Sequence, residues 1–145
     1  MYKRRARILF LDPGDGHRAW LARVLAEQLA ADWIDPAAAA LAPGPLDPGV
    51  GLLLGEPGPA PVPAWSGLAG KDWDLVVALG EGADWDVHLA GVRYKLWQLE
   101  GCPFSLDGEG ALESCREVLQ AGVLGLLGGF RMKSREDGPS EDRGE

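Results

Sequence analysis

The sequence predicts an α/β fold, a three-layer open twisted parallel sheet of about four strands with helices on both faces. Three observations predict it. Apolar residues run unbroken through Ile8, Leu9, Phe10 and Leu11 and again through Leu75–Leu79, as suits central strands covered on both faces. A glycine turn follows the first run and opens into a segment of helical period, the order strand, tight loop, crossover helix. At 145 residues the chain is long enough for one domain with a core and too short for two ordinary ones.

The elements follow in order. The first strand, ending at Asp12, is preceded by Lys3, Arg4, Arg5 and Arg7; this basic lead-in with a short apolar run that meets an aspartate is read as a solvated strand start, not a signal peptide. After the turn, Leu21, Val24, Leu25 and Gln28 or Leu29 recur at helical spacing, leaving Arg23 and Glu27 for solvent. Residues 31–35 are read as a short second strand. The Pro- and Gly-rich stretch that follows forbids long regular elements, apart from a short helix over residues 47–54 with Asp47 able to cap and Pro48 at its first position. Leu52, Leu53, Leu54 and Trp65 give this stretch apolar surface, and its backbone is expected to be the mobile part of the domain. Leu75–Leu79 is a buried strand, residues 94–99 a last strand, and residues 110–130 a helix with Leu112, Val118, Leu119, Val123 and Leu126 or Leu127 on one stripe. Residues 131–145 are polar and aperiodic and are expected to be a disordered tail.

Composition narrows the function. The net charge is −8, and the four N-terminal cations leave the rest of the chain more acidic still, so polyanions such as nucleic acid and anionic membrane are expected to be repelled. No run of about 18 apolar residues exists to span a bilayer. Cys102 and Cys115 lack CxxC spacing and are expected to be reduced thiols in a cytoplasmic protein. His17 and His88 are read as structural or surface residues, and Glu81, Asp84 and Asp86 as a solvated acidic loop around Trp85; no metal or cofactor is expected. Most of the six tryptophans should anchor the core, while Trp20 and Trp85 are expected at the rim of the crevice beyond the strand ends, where exposed aromatics favour a protein partner or apolar ligand.

The turn itself is the candidate site. Asp12, Pro13, Gly14, Asp15, Gly16, His17 and Arg18 lead into a helix N-terminus, whose unpaired N–H groups and positive dipole end form an anion nest, with Arg18 placed to clamp an oxyanion. The stretch LDPGDGHRAWLARVLAEQLA resembles the phosphate loop and first helix of the low-molecular-weight protein tyrosine phosphatases and the thioredoxin-coupled arsenate reductases, whose pattern is a strand, Cys-x5-Arg-Ser and a helix. PLDPGVGLLLGE, WSGLAGKDWDLVVALG, GVRYKLWQLEGCP and residues 111–130 are similar, in order, to that family's second helix, third strand, acid-bearing stretch and closing helix. The resemblance covers residues 6–130 and implies a single phosphatase-like domain over residues 1–130. It places the family's nucleophilic cysteine on Asp12, its arginine on Arg18 and its thiolate-assisting serine on Ala19. Its general-acid aspartate falls near Gly101, with Glu100 as the only carboxyl remnant, and the two downstream redox cysteines fall near Gly80 and Val87.

A carboxylate is a poorer nucleophile than a thiolate toward an anionic ester, and aspartyl-phosphate chemistry uses a bound Mg²⁺ for which no third acidic ligand is identifiable. The expectation is therefore a catalytically degenerate module in which Asp12 accepts the loop's N–H groups, pairs with Arg18 and fills the anion site from within. Pro13 fits, because it removes a donor the loop no longer needs; Asp15 adds repulsion toward an external oxyanion. Its partner would be an unidentified protein or small ligand at the loop crevice. The alternative is an active phosphatase or arsenate-reductase-like enzyme with noncanonical loop residues. A nucleotide-sugar transferase half is a remoter reading, since its second domain would not fit in this length.

Overall fold

The computed structural model describes residues 5–46, 55, 60–68, 70–81, 83–98 and 111–136, with side chains of the last helix over 114–128. Four strands form one parallel sheet in the order β2-β1-β3-β4: β1 is Ala6–Asp12, β2 Ile34–Ala40, β3 Leu75–Leu79 and β4 Tyr94–Trp97. Helix α1 (His17–Ala30) joins β1 to β2, the short α2 (Trp85–His88) follows β3, and α3 (Ala111–Glu136) closes the described chain. This is the α/β sheet the apolar runs predict.

Alternation along β1 sends Ile8 and Phe10 to one face and Leu9 and Leu11 to the other, all fully buried. On the first face they meet Leu21, Val24 and Leu25 of α1 and Cys115, Leu119 and Val123 of α3. On the second they meet Trp65 of a 3-10 turn, Trp85 of α2, and Leu89. The result is three layers. β1 lies between β2 and β3, so the chain leaves it once to each side, and its carboxyl end is the point where the strand order reverses.

Several expectations change. The second strand starts at Ile34 and runs through Pro36 and the alanines to Ala40, beyond the 31–35 expected, because it is an edge strand. Leu41 N–H donates to the Asp12 carbonyl on the β1 side and Ala40 N–H donates outward to the Pro63 carbonyl. By alternation Pro36 also faces outward, where its missing N–H breaks no ladder bond. Strand β4 ends at Trp97 rather than 99. Helix α3 runs to Glu136, six residues into the expected tail, since residues 131–136 hold no Gly or Pro and are followed by Gly138 and Pro139. Trp20 and Trp85 are 5% and 6% exposed, so they are core residues and not an aromatic rim. Cys115 is disulfide-bonded instead of a reduced thiol; sequence spacing does not report spatial approach, and the sequence's other cysteine, Cys102, lies outside the described residues. The helix expected over 47–54 and the residues 137–145 also lie outside them.

Candidate anion loop

Helix α1 begins its internal ladder with Trp20 N–H donating to the Gly16 carbonyl at 2.9 Å. The amides of His17, Arg18 and Ala19 precede that bond and so have no acceptor within the helix. Two upstream carboxylates take them. Asp15 Oδ1 accepts from His17 N–H at 3.2 Å. Asp12 Oδ2 accepts from Arg18 N–H at 2.9 Å and, at a longer 3.4 Å, from Ala19 N–H. The other Asp12 oxygen, Oδ1, accepts from Gly14 N–H at 2.8 Å and from the Arg18 guanidinium, Nη2, at 3.1 Å. The helix has no acidic residue in its first turn and no side-chain cap at Gly16, so these two aspartates supply the negative charge its positive end attracts.

Asp12 and Arg18 are 1% and 4% exposed, the buried charged pair of the molecule's described part. Both oxygens of the carboxylate are engaged, by three backbone donors and one guanidinium nitrogen. At the loop's outer side the His17 ring approaches Asp15 Oδ1 with Nδ1 at 2.8 Å, and the Asp15 side chain is 44% exposed. Partial burial pushes the Asp15 carboxyl up, but hydrogen bonds from the His17 ring and backbone and its charge outweigh that, leaving it below its ordinary value. Far from the loop, the exposed Tyr94 hydroxyl donates to Asp86 Oδ1 at 2.7 Å, and that bond leads the causes that raise its pKa above the usual 10.0.

Distant segments hold the loop's shape. The chain after β2 runs beside it: Leu41 N–H, Ala42 N–H and Gly44 N–H donate to the carbonyls of Asp12, Gly14 and Asp15. Gly16 has φ of 112°, in the left-handed region, and an added Cβ there would lie 2.6 Å from Val62 Cγ2. Glycine is therefore required twice over, by backbone conformation and by the chain segment packed on it. These supports were not visible in the sequence, because residues 41–44 and 60–63 read only as proline- and glycine-rich loop.

Of the residues singled out from sequence, Asp12, Gly14, Asp15, Gly16, His17 and Arg18 come together through the bonds above, and Pro13 is buried between them. Ala19 contributes its amide where the resembled family has a serine. Gly80, just past the carboxyl end of β3, donates its N–H to the Ala78 and Trp97 carbonyls, and its carbonyl accepts from Trp85 Nε1. Val87 is an exposed residue of α2. Glu100, Gly101 and Cys102 lie outside the described residues. Among the described residues no group of three His, Cys, Asp or Glu side chains gathers as metal ligands would.

Solved structures of similar shape were found. An arsenate reductase in the phosphate-binding state superposes with a TM-score of 0.68 at 20% identity, covering 86% of this chain and 98% of its own. The arsenate reductase of Archaeoglobus fulgidus DSM 4304 gives 0.66 at 20%, covering 83% and 98%. The thioredoxin-dependent arsenate reductase Cg_ArsC1' of Corynebacterium glutamicum gives 0.65 at 21%, covering 92% of this chain and 65% of its own. The chain has the arsenate-reductase fold. No family model and no curated protein matches its sequence. In this arsenate-reductase fold the loop after β1 occupies the strand-order reversal, and here its inward-facing donors are held by Asp12.

Proposed function

We propose that this chain is a catalytically degenerate arsenate-reductase-like module with a binding or regulatory role, in which Asp12 acts as a tethered replacement for the oxyanion. The observation that carries the reading is the engagement of the Asp12 carboxylate by Gly14 N–H, Arg18 N–H, Ala19 N–H and the Arg18 guanidinium at 1% exposure. Those are the kinds of donor a phosphate loop offers its ligand: first-turn helix amides, a loop amide and an arginine.

Electrostatics sets the consequence. An oxyanion entering the loop would meet the Asp12 charge at about 4 Å, and two unit charges at that separation repel by about 4 kcal/mol at an effective dielectric of 20. That is roughly a thousandfold in affinity before any loss of Asp12's own hydrogen bonds is counted. Asp15 adds a second negative charge at the loop's outer side. A carboxylate whose oxygens accept four hydrogen bonds has its electron pairs drawn toward those donors and is a weaker nucleophile, so Asp12 serves structure better than nucleophilic catalysis. The absence of a transmembrane-length apolar helix among the described residues is compatible with a cytoplasmic setting, which we include in the proposal.

The test is p-nitrophenyl phosphate hydrolysis and calorimetric phosphate titration with wild type, Asp12→Ala and Asp12→Cys. The expected result is no turnover by the wild type, no phosphate binding at neutral pH, and phosphate affinity regained in Asp12→Ala. Wild-type turnover that Asp12→Ala abolishes, or tight phosphate binding by the wild type, would overturn the proposal.

A further inference from the structure

The outer edge of β2 carries a second concave site, which shares Val62 with the packing behind Gly16 but none of the loop's polar groups. A cavity of about 590 Å³ lies along the outer edge of β2 and is lined by Arg7, Trp20, Arg23, Ala38, Lys71 and Trp73 among others. Its volume is in the range of small-molecule sites, roughly 300–1,000 Å³. Its charge runs against the rest of the molecule: the chain is −8 overall, yet among the described residues lining the cavity three are cationic and none is acidic.

The arrangement is specific in two further ways. The Arg7 guanidinium lies over the Trp73 ring at 5.0 Å from its centroid, and Trp73 Nε1 donates to the Leu68 carbonyl, so an aromatic face and a planar cation are held together in fixed orientation. Arg23 is partly matched by Glu27 at 2.6 Å, which leaves Arg7 and Lys71 as the larger part of the positive field. Ala38, two residues before Ala40 on the edge strand, points its N–H outward by the same alternation that sends Ala40 N–H to Pro63. An extended chain segment cannot run on along this edge, since Ala64 already bridges to Ala40 at one end and Pro36 lacks a donor at the other.

We infer that the cavity on the β2 edge binds a small aromatic anion, a planar ring carrying a carboxylate-type charge, with the ring beside the stacked Arg7–Trp73 pair and the charge toward Arg7, Lys71 and the Ala38 N–H. Arg7, read from sequence as part of a solvated lead-in, lies inside β1 and contributes to this binding wall. This inference is independent of the Asp12 reading, because it uses none of the loop's donors.

The probe is 2-naphthoate, titrated into the ¹⁵N-labelled full chain, with 2-naphthamide as the uncharged isostere and cyclohexanecarboxylate as the non-aromatic acid. Saturable shifts at the Ala38 amide and the Trp73 indole N–H are expected, with a dissociation constant of about 1 mM or tighter. Both control compounds should bind at least about fivefold more weakly, and Lys71→Glu, at an exposed position, should weaken 2-naphthoate about tenfold. Asp12→Ala should leave the affinity unchanged, which separates this site from the loop. The inference is overturned by the absence of saturable shifts, by equal binding of either control compound, by an affinity in Lys71→Glu within twofold of wild type, or by shifts centred on residues 12–18.

Discussion

Asp12 is held by four donors, and removing it would leave three amides and a guanidinium without the acceptor they share. Breaking one side of a buried ion pair costs about 3–5 kcal/mol, so Asp12→Ala should lower unfolding free energy by that order in urea titrations. Asp12→Asn should also destabilise, because its amide group turns a donor toward donors. A neutral or stabilising result for either would mean that the carboxylate does not hold the loop. Asp15 makes a different prediction, one of pH. Its carboxyl lies below the ordinary value of 3.8 in the folded chain, so its charge stabilises the fold fully above that value, and the contribution is lost as pH falls through the lower folded value. Asp15→Asn keeps an acceptor for His17 N–H and removes the charge. The stability gap between wild type and Asp15→Asn should therefore close as pH falls below 3.8, as followed by urea unfolding across the acid range.

At the scale of elements, glycines inside α3 and at the N-cap of α1 separate backbone propensity from packing. Gly122, inside α3, faces the Trp97 ring of β4, and an added Cβ would lie 2.6 Å from it; Gly125, one turn on, has nothing within 4 Å. Ala is favoured over Gly in a helix by about 1 kcal/mol, whereas overpacking costs about 1–3 kcal/mol. Gly125→Ala should then stabilise and Gly122→Ala destabilise, a difference in sign readable from two thermal melts. Trp97 also packs against Phe10 with ring centroids 5.7 Å apart, so displacing it reaches β1. Gly16→Ala, strained in φ and pressed on Val62, should destabilise more than either. The same contrast explains what could be read from sequence. The apolar runs of β1 and β3 and the period of α1 are local signals and gave strand, strand and helix. The extent of β2 was hidden because proline is excluded from central strands but tolerated on an edge, and an edge is defined only by its neighbours. Trp20 was placed at a rim because residues of the core cluster that buries it, Val62 among them, are distant in sequence. The anion loop was legible because its seven residues are contiguous; Val62 and residues 41–44, which fix its shape, are not.

For the whole molecule, the charge on the loop governs how stability responds to solution anions. A protein whose site binds phosphate gains free energy with ligand concentration, about 2.7 kcal/mol at a hundred times the dissociation constant, enough to raise the melting temperature by several degrees. On the proposed reading the stabilising anion is the tethered Asp12 carboxylate, and the net charge of −8 further disfavours an external one. Wild-type melting temperature should consequently be the same in phosphate and in chloride at equal ionic strength, a comparison that removes general screening. Asp12→Ala should melt lower in chloride and recover part of the loss in phosphate, with the recovery growing logarithmically with phosphate concentration. A wild type that phosphate stabilises as much as it stabilises the variant would show that the loop's donors remain available to solution anions, and that the Asp12 carboxylate does not occupy them.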